Sequence, residues 1–338
     1  MQIQENVSLL PYNTFGFDVK ARYFTSITSA PQLQELLLDP NRQTEQKWVL
    51  GGGSNILLTQ DVDALVMRIE IAGIEVVSED ENELLIKVGA GEKWHEFVLY
   101  CVEKGYAGIE NLSLIPGTVG AAPMQNIGAY GVEIKDVFHE LEAVEIKSGE
   151  IRIFDREACR FGYRESVFKR ELKDQYIITS VTFRLRKQPE FHISYGDIKK
   201  TLEEMNVSEL SIKAVSDAVI RIRQSKLPDP AQIGNAGSFF KNPEIPKGQF
   251  EELKEKYPAL PGYVINEDTM KVPAGWLIEQ AGWKGYREGN VGVHARQALV
   301  LVHYGGGSGE EVKVLSGKVQ ASVEATYGIR LTAEVNFA

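Results

Sequence analysis

Two glycine-rich segments constrain the fold of this 338-residue chain more than any other feature of the sequence. The first, residues 50–55, reads Leu-Gly-Gly-Gly-Ser-Asn and follows a short apolar run. The second, residues 115–131, is rich in Gly, Ala and Pro. Small residues let the backbone approach a large flat ligand and leave N–H groups unhindered. Together the segments favour a site for the two ends of a dinucleotide, although a tight surface turn explains either one alone.

The glycine runs at residues 50–55 and 305–310 do not match common nucleotide-binding loops. After residues 50–55 no third Gly follows at the Rossmann spacing, and residues 56–59 have the pattern of a strand rather than a helix. The run at 305–310, Gly-Gly-Gly-Ser-Gly-Glu, lacks the Gly-Lys-Ser/Thr ending of a Walker loop. We therefore expect residues 305–310 to be a linker between a strand and a helix.

Hydrophobic periodicity predicts a mixed α+β chain. Helices are predicted at residues 33–38, 93–104, 197–205, 216–224 and 310–327, and strands at 48–50, 56–58, 64–67, 84–88, 142–146, 176–185, 298–302 and 330–337. Gly105 and Gly328 are expected to end their helices, because glycine adopts the left-handed backbone without a side-chain penalty. A boundary between two units is predicted near residues 208–213.

Composition excludes several classes of function. The formal net charge of −10 repels polyanions, so nucleic acid and anionic membranes are not expected partners. Cys101 and Cys159 form no CxxC pair and the five histidines show no paired metal spacing, so we expect no bound metal and a reducing cytoplasmic location. No apolar run approaches the roughly 20 residues that a membrane helix needs.

Three polar side chains outside the glycine segments are candidates for chemistry. Arg164 lies beside aromatic residues, where a guanidinium can bind a carboxylate through two parallel hydrogen bonds; a surface salt bridge is the alternative. Ser238 lies between a glycine and two phenylalanines, which predicts a buried yet reachable hydroxyl suited to proton donation. No Gly-x-Ser-x-Gly elbow surrounds Ser238, so a serine hydrolase is disfavoured. Glu334 lies in an apolar C-terminal segment, where it either faces water or serves a site.

These motifs, from residues 13–16 (Asn-Thr-Phe-Gly) to Glu334 and Val335, resemble the UDP-N-acetylenolpyruvoylglucosamine reductase family, in its first, Tyr-loop type. The resemblance implies an FAD-binding domain of the vanillyl-alcohol-oxidase (PCMH) type in two subdomains, residues 1–70 and 71–212, with a last strand at 329–338 returning to the first. A separate α+β substrate-binding domain is implied for residues 213–328.

The resemblance also implies an activity. Through bound FAD, NADPH would reduce UDP-N-acetylglucosamine enolpyruvate to UDP-N-acetylmuramate in peptidoglycan synthesis, and the protein would act as a cytoplasmic monomer. Two alternatives stay open: an oxidase of the same flavin superfamily, and a non-catalytic module that binds a UDP-sugar or flavin. The module would have no use for Ser238 together with Glu334.

The resemblance assigns roles to individual residues. Arg164, Ser238 and Glu334 match its catalytic residues. Contacts with FAD are implied for Leu50, Gly51, Gly52, Gly53, Ser54, Asn55, Ile115, Pro116, Gly117, Thr118, Gly120, Ala121, Ala122, Asn126, Gly128 and Ala129. Substrate contacts are implied for Tyr130, Tyr195, Lys226, Asn242, Tyr263, Lys284 and Gln297. One position departs from the family pattern, since Asn336 stands where similar proteins usually carry Arg.

Overall fold

The computed structural model describes residues 2–338, and the chain forms two compact units. The first unit comprises the chain up to Val7, Ala21–Gly52 and Val62–Ser225, and the second comprises Ser8–Lys20, Gly53–Asp61 and Lys226–Ala338. The division into three parts expected from the sequence, with boundaries at residues 70 and 212, stays a prediction.

The chain contains both helices and strands along its whole length. The α-helices are α1 Ala30–Leu38, α2 Trp94–Lys104, α3 Arg156–Cys159, α4 Ile198–Glu204, α5 Ile212–Lys226, α6 Lys247–Lys256, α7 Ala274–Gln280 and α8 Gly309–Tyr327. The strands are β1 Gln4–Ser8, β2 Lys20–Ile27, β3 Lys47–Leu50, β4 Ile56–Leu57, β5 Val62–Ile69, β6 Ile74–Glu79, β7 Glu83–Gly89, β8 Gly128–Ala129, β9 Val132–Glu133, β10 Phe138–Glu145, β11 Ile151–Asp155, β12 Tyr176–Arg186, β13 Gly234–Asn235, β14 Glu244–Pro246, β15 Tyr263–Val264, β16 Thr269–Lys271, β17 Arg287–Glu288, β18 Val291–Val293, β19 Leu301–His303 and β20 Asn336–Phe337. Short 3-10 helices lie at Leu10–Tyr12, Pro40–Arg42, Glu110–Leu112, Val119–Ala121, Pro123–Gln125, Ile134–Asp136 and Val167–Lys169.

The first unit contains two sheets and a large apolar core. One sheet has the order β1-β2-β5-β3, with β5 parallel to both β2 and β3, and the other has the antiparallel order β11-β10-β12-β7-β6. Trp94 and Phe97 of α2 are both fully buried and pack on Phe183 of β12, with ring centroids 5.8 and 5.1 Å away. The apolar face of α2 therefore belongs to the core, as its sequence predicts.

The second unit has its own core, built around α7, α8 and the antiparallel sheet β13-β19-β18-β17. The long helix α8 begins at a capping box in which the Ser308 hydroxyl accepts from the Glu311 N–H and the Glu311 carboxylate accepts from the Ser308 N–H. It ends at Gly328, whose φ is +65°. The glycine run before α8 is thus the predicted linker from a strand to a helix.

Two predicted strands are wrong in extent. Over residues 330–337 only Asn336–Phe337 is strand, because the segment first pairs with Phe240 through Ala333 and then changes partner to β4. Over residues 298–302 only the end is strand, because the Val300 N–H donates to the Gln297 carbonyl in a turn (3.1 Å). The other predicted elements are present. The elements that were not predicted are α3, α6 and α7 and the strands β1, β2, β6, β8, β9, β11, β13, β14, β15, β16, β17 and β18.

Within residues 2–338, no helix is both long and apolar enough to cross a membrane.

Candidate active site

The two glycine-rich segments meet in the first unit. A Cβ on Gly51 would lie 2.8 Å from Thr118 Oγ1, and one on Gly52 would lie 2.8 Å from the Gly117 Cα. Heavy atoms of a real side chain do not approach that closely, so only glycine allows the two backbones to touch here. The structure therefore brings together two segments that are far apart in sequence and were predicted to hold one ligand.

The rest of the first glycine segment belongs to the second unit. Gly53 has φ +63°, and a Cβ there would collide with the Tyr12 carbonyl, so glycine is required on both counts. Asn55 Nδ2 donates to the Glu334 carbonyl (3.2 Å), and the Asn55 carbonyl accepts from both the N–H and the side-chain amide of Asn336 (3.1 Å each). A predicted cofactor residue and a predicted catalytic residue are thus held side by side.

Ser238 and Glu334 are also brought together in the second unit. The Glu334 N–H donates to the Phe239 carbonyl at 2.8 Å, which places the C-terminal segment beside the serine loop. Gly237, with φ +69°, turns the chain just before Ser238. Phe239 and Phe240 occupy the core, whereas Ser238 is exposed, so its predicted burial is wrong. The two rings fill the apolar positions and leave the serine at the surface of the turn.

Arg164 lies in the first unit against the second glycine segment. Its Nη2 donates to the Gly128 carbonyl at 2.6 Å, and a Cβ on Gly128 would come within 3.0 Å of Nη1. The backbone of Arg164 is left-handed (φ +54°), a conformation that strains a side-chain-bearing residue and is frequent at functional sites. Asn126 Nδ2 donates to the Gly162 carbonyl (3.0 Å) and ties the arginine loop to the same segment. The guanidinium is therefore positioned beside the predicted flavin loop.

Tyr130 and Tyr195 are neighbours in the first unit. A Cβ on Gly196 would lie 3.7 Å from Tyr130 Cδ1, which shows how closely the two tyrosine loops pack. Asn111 Nδ2 donates to the Tyr130 carbonyl (3.0 Å) and to the His192 carbonyl (2.7 Å), so one buried amide joins the two loops. The Tyr195 side chain is 54 % exposed. These two predicted substrate residues therefore share one surface.

The remaining predicted substrate residues lie in the second unit. They differ in how many contacts their side chains make with the protein. Asn242 Oδ1 accepts from the first N–H of α7 (2.9 Å), and Gln297 Oε1 accepts from the Leu299 N–H (3.3 Å). Lys284 forms an ion pair with Glu279 at 2.9 Å. Lys226 and Tyr263 are exposed. No distance within this set establishes a common pocket, so their roles remain proposals.

Sequence reasoning missed two residues beside these loops, Asn111 and Arg223. Asn111 is 1 % exposed, and its Oδ1 has no hydrogen-bond partner anywhere in residues 2–338. Arg223 Nε donates to the Leu114 carbonyl at 3.2 Å, just before the second glycine segment. The signal for Arg223 was present in the helix period, since Ser216 and Val219 precede it by seven and four residues on the buried face of α5.

The two cysteines are not thiolates, and the described residues form no metal cluster. Both cysteines are buried; burial raises the pKa of Cys101 far above its usual range and that of Cys159 to about 12, so neither is a thiolate at neutral pH. In the part of the chain that the structure describes, no group of three His, Cys, Asp or Glu side chains is arranged to hold a metal ion.

The residues present fit FAD. The segments that touch through Gly51, Gly52, Gly117 and Thr118 carry few bulky side chains, so a ligand can approach their backbone closely. An Arg guanidinium lies beside one of these segments. The geometry suits a large anionic dinucleotide with a flat ring system.

Comparison with protein families supports an FAD-binding domain followed by a second domain. A model of an FAD-binding domain matches residues 21–155, and the model of the UDP-N-acetylenolpyruvoylglucosamine reductase C-terminal domain matches residues 229–338. Among solved structures, the reductase of Thermus caldophilus covers 100% of this chain and 99% of its own, with a TM-score of 0.71 at 24% identity. The predicted fold class, an FAD-binding domain with a separate α+β domain, is confirmed.

Curated relatives are similar from end to end. The UDP-N-acetylenolpyruvoylglucosamine reductase of Amoebophilus asiaticus is 54% identical over 336 residues, covering 99% of both chains. The enzymes of that name from Flavobacterium johnsoniae and Pseudomonas aeruginosa are 51% identical over 337 residues and 48% identical over 336 residues, again with 99% of each chain covered. This chain belongs to the UDP-N-acetylenolpyruvoylglucosamine reductase family.

Proposed function

We propose that this chain reduces UDP-N-acetylglucosamine enolpyruvate to UDP-N-acetylmuramate, with NADPH as the electron donor and FAD as the bound cofactor, in peptidoglycan synthesis. The observation that carries the proposal is the end-to-end match to reductases of that name, 54% identical over 336 residues in one case. The FAD-binding domain match and the touching glycine segments support the cofactor.

FAD would be held by the two glycine segments. The residues concerned are Leu50 to Asn55 and, in the second segment, Ile115, Pro116, Gly117, Thr118, Gly120, Ala121, Ala122, Asn126, Gly128 and Ala129. When bound, FAD supplies the hydride taken from NADPH that is added to C3 of the enolpyruvyl group. The protein's part is to hold the substrate, to stabilise charge and to deliver a proton.

Arg164 would bind the enolpyruvyl carboxylate. As C3 gains a hydride, negative charge develops at C2 and spreads into the carboxylate, so a fixed guanidinium stabilises the transition state more than the ground state. The bond from Arg164 to the Gly128 carbonyl sets the guanidinium before substrate arrives, so no reorganisation is needed at the moment of reaction.

Ser238 would deliver the proton to C2, and Glu334 would assist. A carbon that carries negative charge is basic enough to take a proton from a hydroxyl despite the hydroxyl's high intrinsic pKa. The backbone bond from Glu334 to Phe239 keeps the Glu334 backbone next to the serine loop, which supports a shared role. The product gains one hydride at C3 and one proton at C2.

The nucleotide part of the substrate would be bound by Tyr130, Tyr195, Lys226, Asn242, Tyr263, Lys284 and Gln297. Two lysines in this set supply local positive charge that an acidic protein needs to bind a diphosphate. Lys284 is paired with Glu279 in this structure, so binding through Lys284 would exchange or share that ion pair.

We further propose that the protein acts as a monomer in the cytoplasm and divides into FAD subdomains at residues 1–70 with 329–338 and at 71–212, followed by a substrate domain at 213–328. Light scattering of the purified holoenzyme across a concentration series tests the first point. Limited proteolysis with mass mapping of the cuts tests the division.

Steady-state turnover tests the proposed function. NADPH consumption should require UDP-N-acetylglucosamine enolpyruvate, and one UDP-N-acetylmuramate should form for each NADPH consumed. Consumption that needs only oxygen would show an oxidase. Binding of both ligands without any NADPH consumption would show a non-catalytic module.

A further inference from the structure

Arg223 occupies the buried face of α5, where helices normally carry apolar residues. On the same face Ser216 is 1 % exposed, and its Oγ lies 2.8 Å from Ser113 Oγ. Val219, four residues before Arg223, is fully buried. A long cation is kept on such a face when it has partners there. Arg223 is itself partly buried, and its side chain makes specific contacts with the protein.

Those contacts lie at the entrance to the second glycine segment. Arg223 Nε donates to the Leu114 carbonyl at 3.2 Å, and the Leu114 N–H donates to His95 Nδ1 at 3.0 Å. Leu114 itself is left-handed, with φ +58°, which is costly for a bulky side chain. The N–H and the carbonyl of this strained residue are thus both hydrogen-bonded, the N–H to an imidazole and the carbonyl to a guanidinium.

Arg223 also bonds to the phenol of Tyr130. A guanidinium can only donate hydrogen bonds, so the phenol oxygen accepts. The proton of the Tyr130 hydroxyl must then be directed at another acceptor. Tyr130 is one of the residues proposed to contact substrate, so this bond makes the phenol a hydrogen-bond donor toward the substrate.

Arg223 lies close enough to a second guanidinium for the two charges to interact. Burial lowers the pKa of the Arg223 guanidinium, Tyr130 raises that pKa, and the positive charge of Arg164 lowers it. Among the residues that the structure describes, no carboxylate is among the groups that act on this pKa. Arginine remains charged in proteins, so the two guanidiniums repel one another, and an anion bound near both would relieve that repulsion.

We propose that Arg223 is a positioning residue of the reductase: it fixes the Leu114 peptide and the Tyr130 phenol, so that the Tyr130 hydroxyl donates to the substrate carboxylate bound by Arg164. This inference rests on the proposed function and adds to it a residue that determines recognition of the enolpyruvyl carboxylate. Tyr130 touches the substrate, and Arg223 acts through Tyr130 and through its charge.

Binding of two nucleotide sugars to the holoenzyme tests the proposal without turnover. UDP-N-acetylmuramate carries the carboxylate, and UDP-N-acetylglucosamine lacks it. Calorimetric titration of each into wild type, Arg223→Gln and Tyr130→Phe gives a ratio of dissociation constants. We expect both variants to weaken UDP-N-acetylmuramate by roughly tenfold or more, as for loss of a hydrogen bond to a charged group, and to leave UDP-N-acetylglucosamine within about twofold.

Controls separate positioning from folding. Arg221→Gln removes an exposed cation two residues away on the same helix and should change neither constant. Arg223→Lys should recover part of the ratio, because it keeps the charge but loses the fork that reaches two acceptors. If Arg223→Gln fails to retain FAD, Tyr130→Phe and Arg223→Lys still decide the question. Equal weakening of both ligands, or no weakening of either, would overturn the proposal, whereas failure of the proposed function would appear already as absent turnover in wild type.

Discussion

Arg164 and Ser238 are held in opposite ways. Arg164, in the first unit, is fixed by its side chain, which donates to the Gly128 carbonyl and lies over the Tyr163 ring at 5.4 Å. Ser238, in the second unit, is fixed by its neighbours: Gly237 turns the chain and Phe239 is buried in the core, while the serine is exposed.

The difference matches the two proposed tasks. A group that stabilises charge must be aligned in advance, because reorganisation during the reaction would cost the stabilisation it provides. A proton donor needs its oxygen to be reachable and can adjust through rotation of one hydroxyl. A substitution at Ser238 should therefore change activity without changing stability, whereas a substitution at Arg164 should change both.

The largest expected effect is that of Ser238→Ala. Within residues 2–338 the structure gives the Ser238 hydroxyl no hydrogen bond to protein, so the thermal stability should be unchanged. Loss of the proton donor should slow reoxidation of the reduced flavin by substrate by roughly a hundredfold to ten-thousandfold. Stopped-flow absorbance measures this step, and flavin reduction by NADPH should be spared as an internal control. Near-normal reoxidation would remove Ser238 from the mechanism.

Arg164→Lys should give the next largest effect and should act on both properties. Lysine keeps the charge but cannot form the bidentate grip or hold the Gly128 carbonyl in the same way, so kcat/KM should fall roughly tenfold to a hundredfold. Unlike Ser238→Ala, this variant should also lower the melting temperature. A matched change at Arg160, whose exposed side chain pairs with Glu171, should alter neither quantity. An unchanged kcat/KM in Arg164→Lys would contradict the proposed carboxylate grip.

Gly52→Ala tests the contact that brings the two glycine segments together. The new methyl would meet the Gly117 backbone, which cannot move as a flexible side chain can, so the first unit should lose about 1–3 kcal/mol and bind FAD less tightly. Gly317→Ala is the control, since its Cβ would enter open space on α8 and should be neutral or stabilising. Chemical denaturation and flavin release measure the two effects. A Gly52→Ala protein of wild-type stability would mean that the contact can relax.

Features that depend on local sequence could be predicted, whereas features that depend on contacts between distant segments could not. The glycine segments and the C-terminal glycine caps of α2 and α8 were predictable, because close backbone approach and left-handed conformations demand glycine locally. The pairing of Glu334 with Phe239 was not derivable from sequence pattern, because a single irregular bridge between distant segments leaves no periodicity to detect.

The wrong strand at residues 330–337 and the overlooked Arg223 also result from contacts between distant segments. Residues 330–337 read as one strand because their alternation is regular, but the backbone changes partner within the segment. Arg223 was overlooked because a charged residue on an amphipathic helix is assigned to the wet face by default, whereas tertiary contacts with Leu114 and Tyr130 override that preference.

The smallest expected effect concerns pH. Burial, followed by the Arg223 charge, lowers the pKa of His95 from its ordinary 6.5, against the opposing charge of Glu96. The unfolded chain then binds a proton more readily than the folded one, so the stabilisation is present above the ordinary pKa and is lost as pH falls toward the lower folded value. In His95→Asn, which keeps an acceptor for the Leu114 N–H, the melting temperature should fall less steeply as the pH is lowered from about 8 to about 5.5 than it does in wild type. His192→Asn, at an exposed site, is the control, and an unchanged slope in His95→Asn would contradict the assignment.

Arg164 and Ser238 are proposed to serve a single reaction, the reduction of a nucleotide-sugar enolpyruvyl group. Its most direct test follows the flavin absorbance of purified holoenzyme without oxygen, first on addition of NADPH and then of UDP-N-acetylglucosamine enolpyruvate. The account predicts that NADPH bleaches the yellow colour and that the sugar restores it, with UDP-N-acetylmuramate formed in equal amount. A flavin that stays bleached with the sugar and recolours only when air is admitted would contradict it.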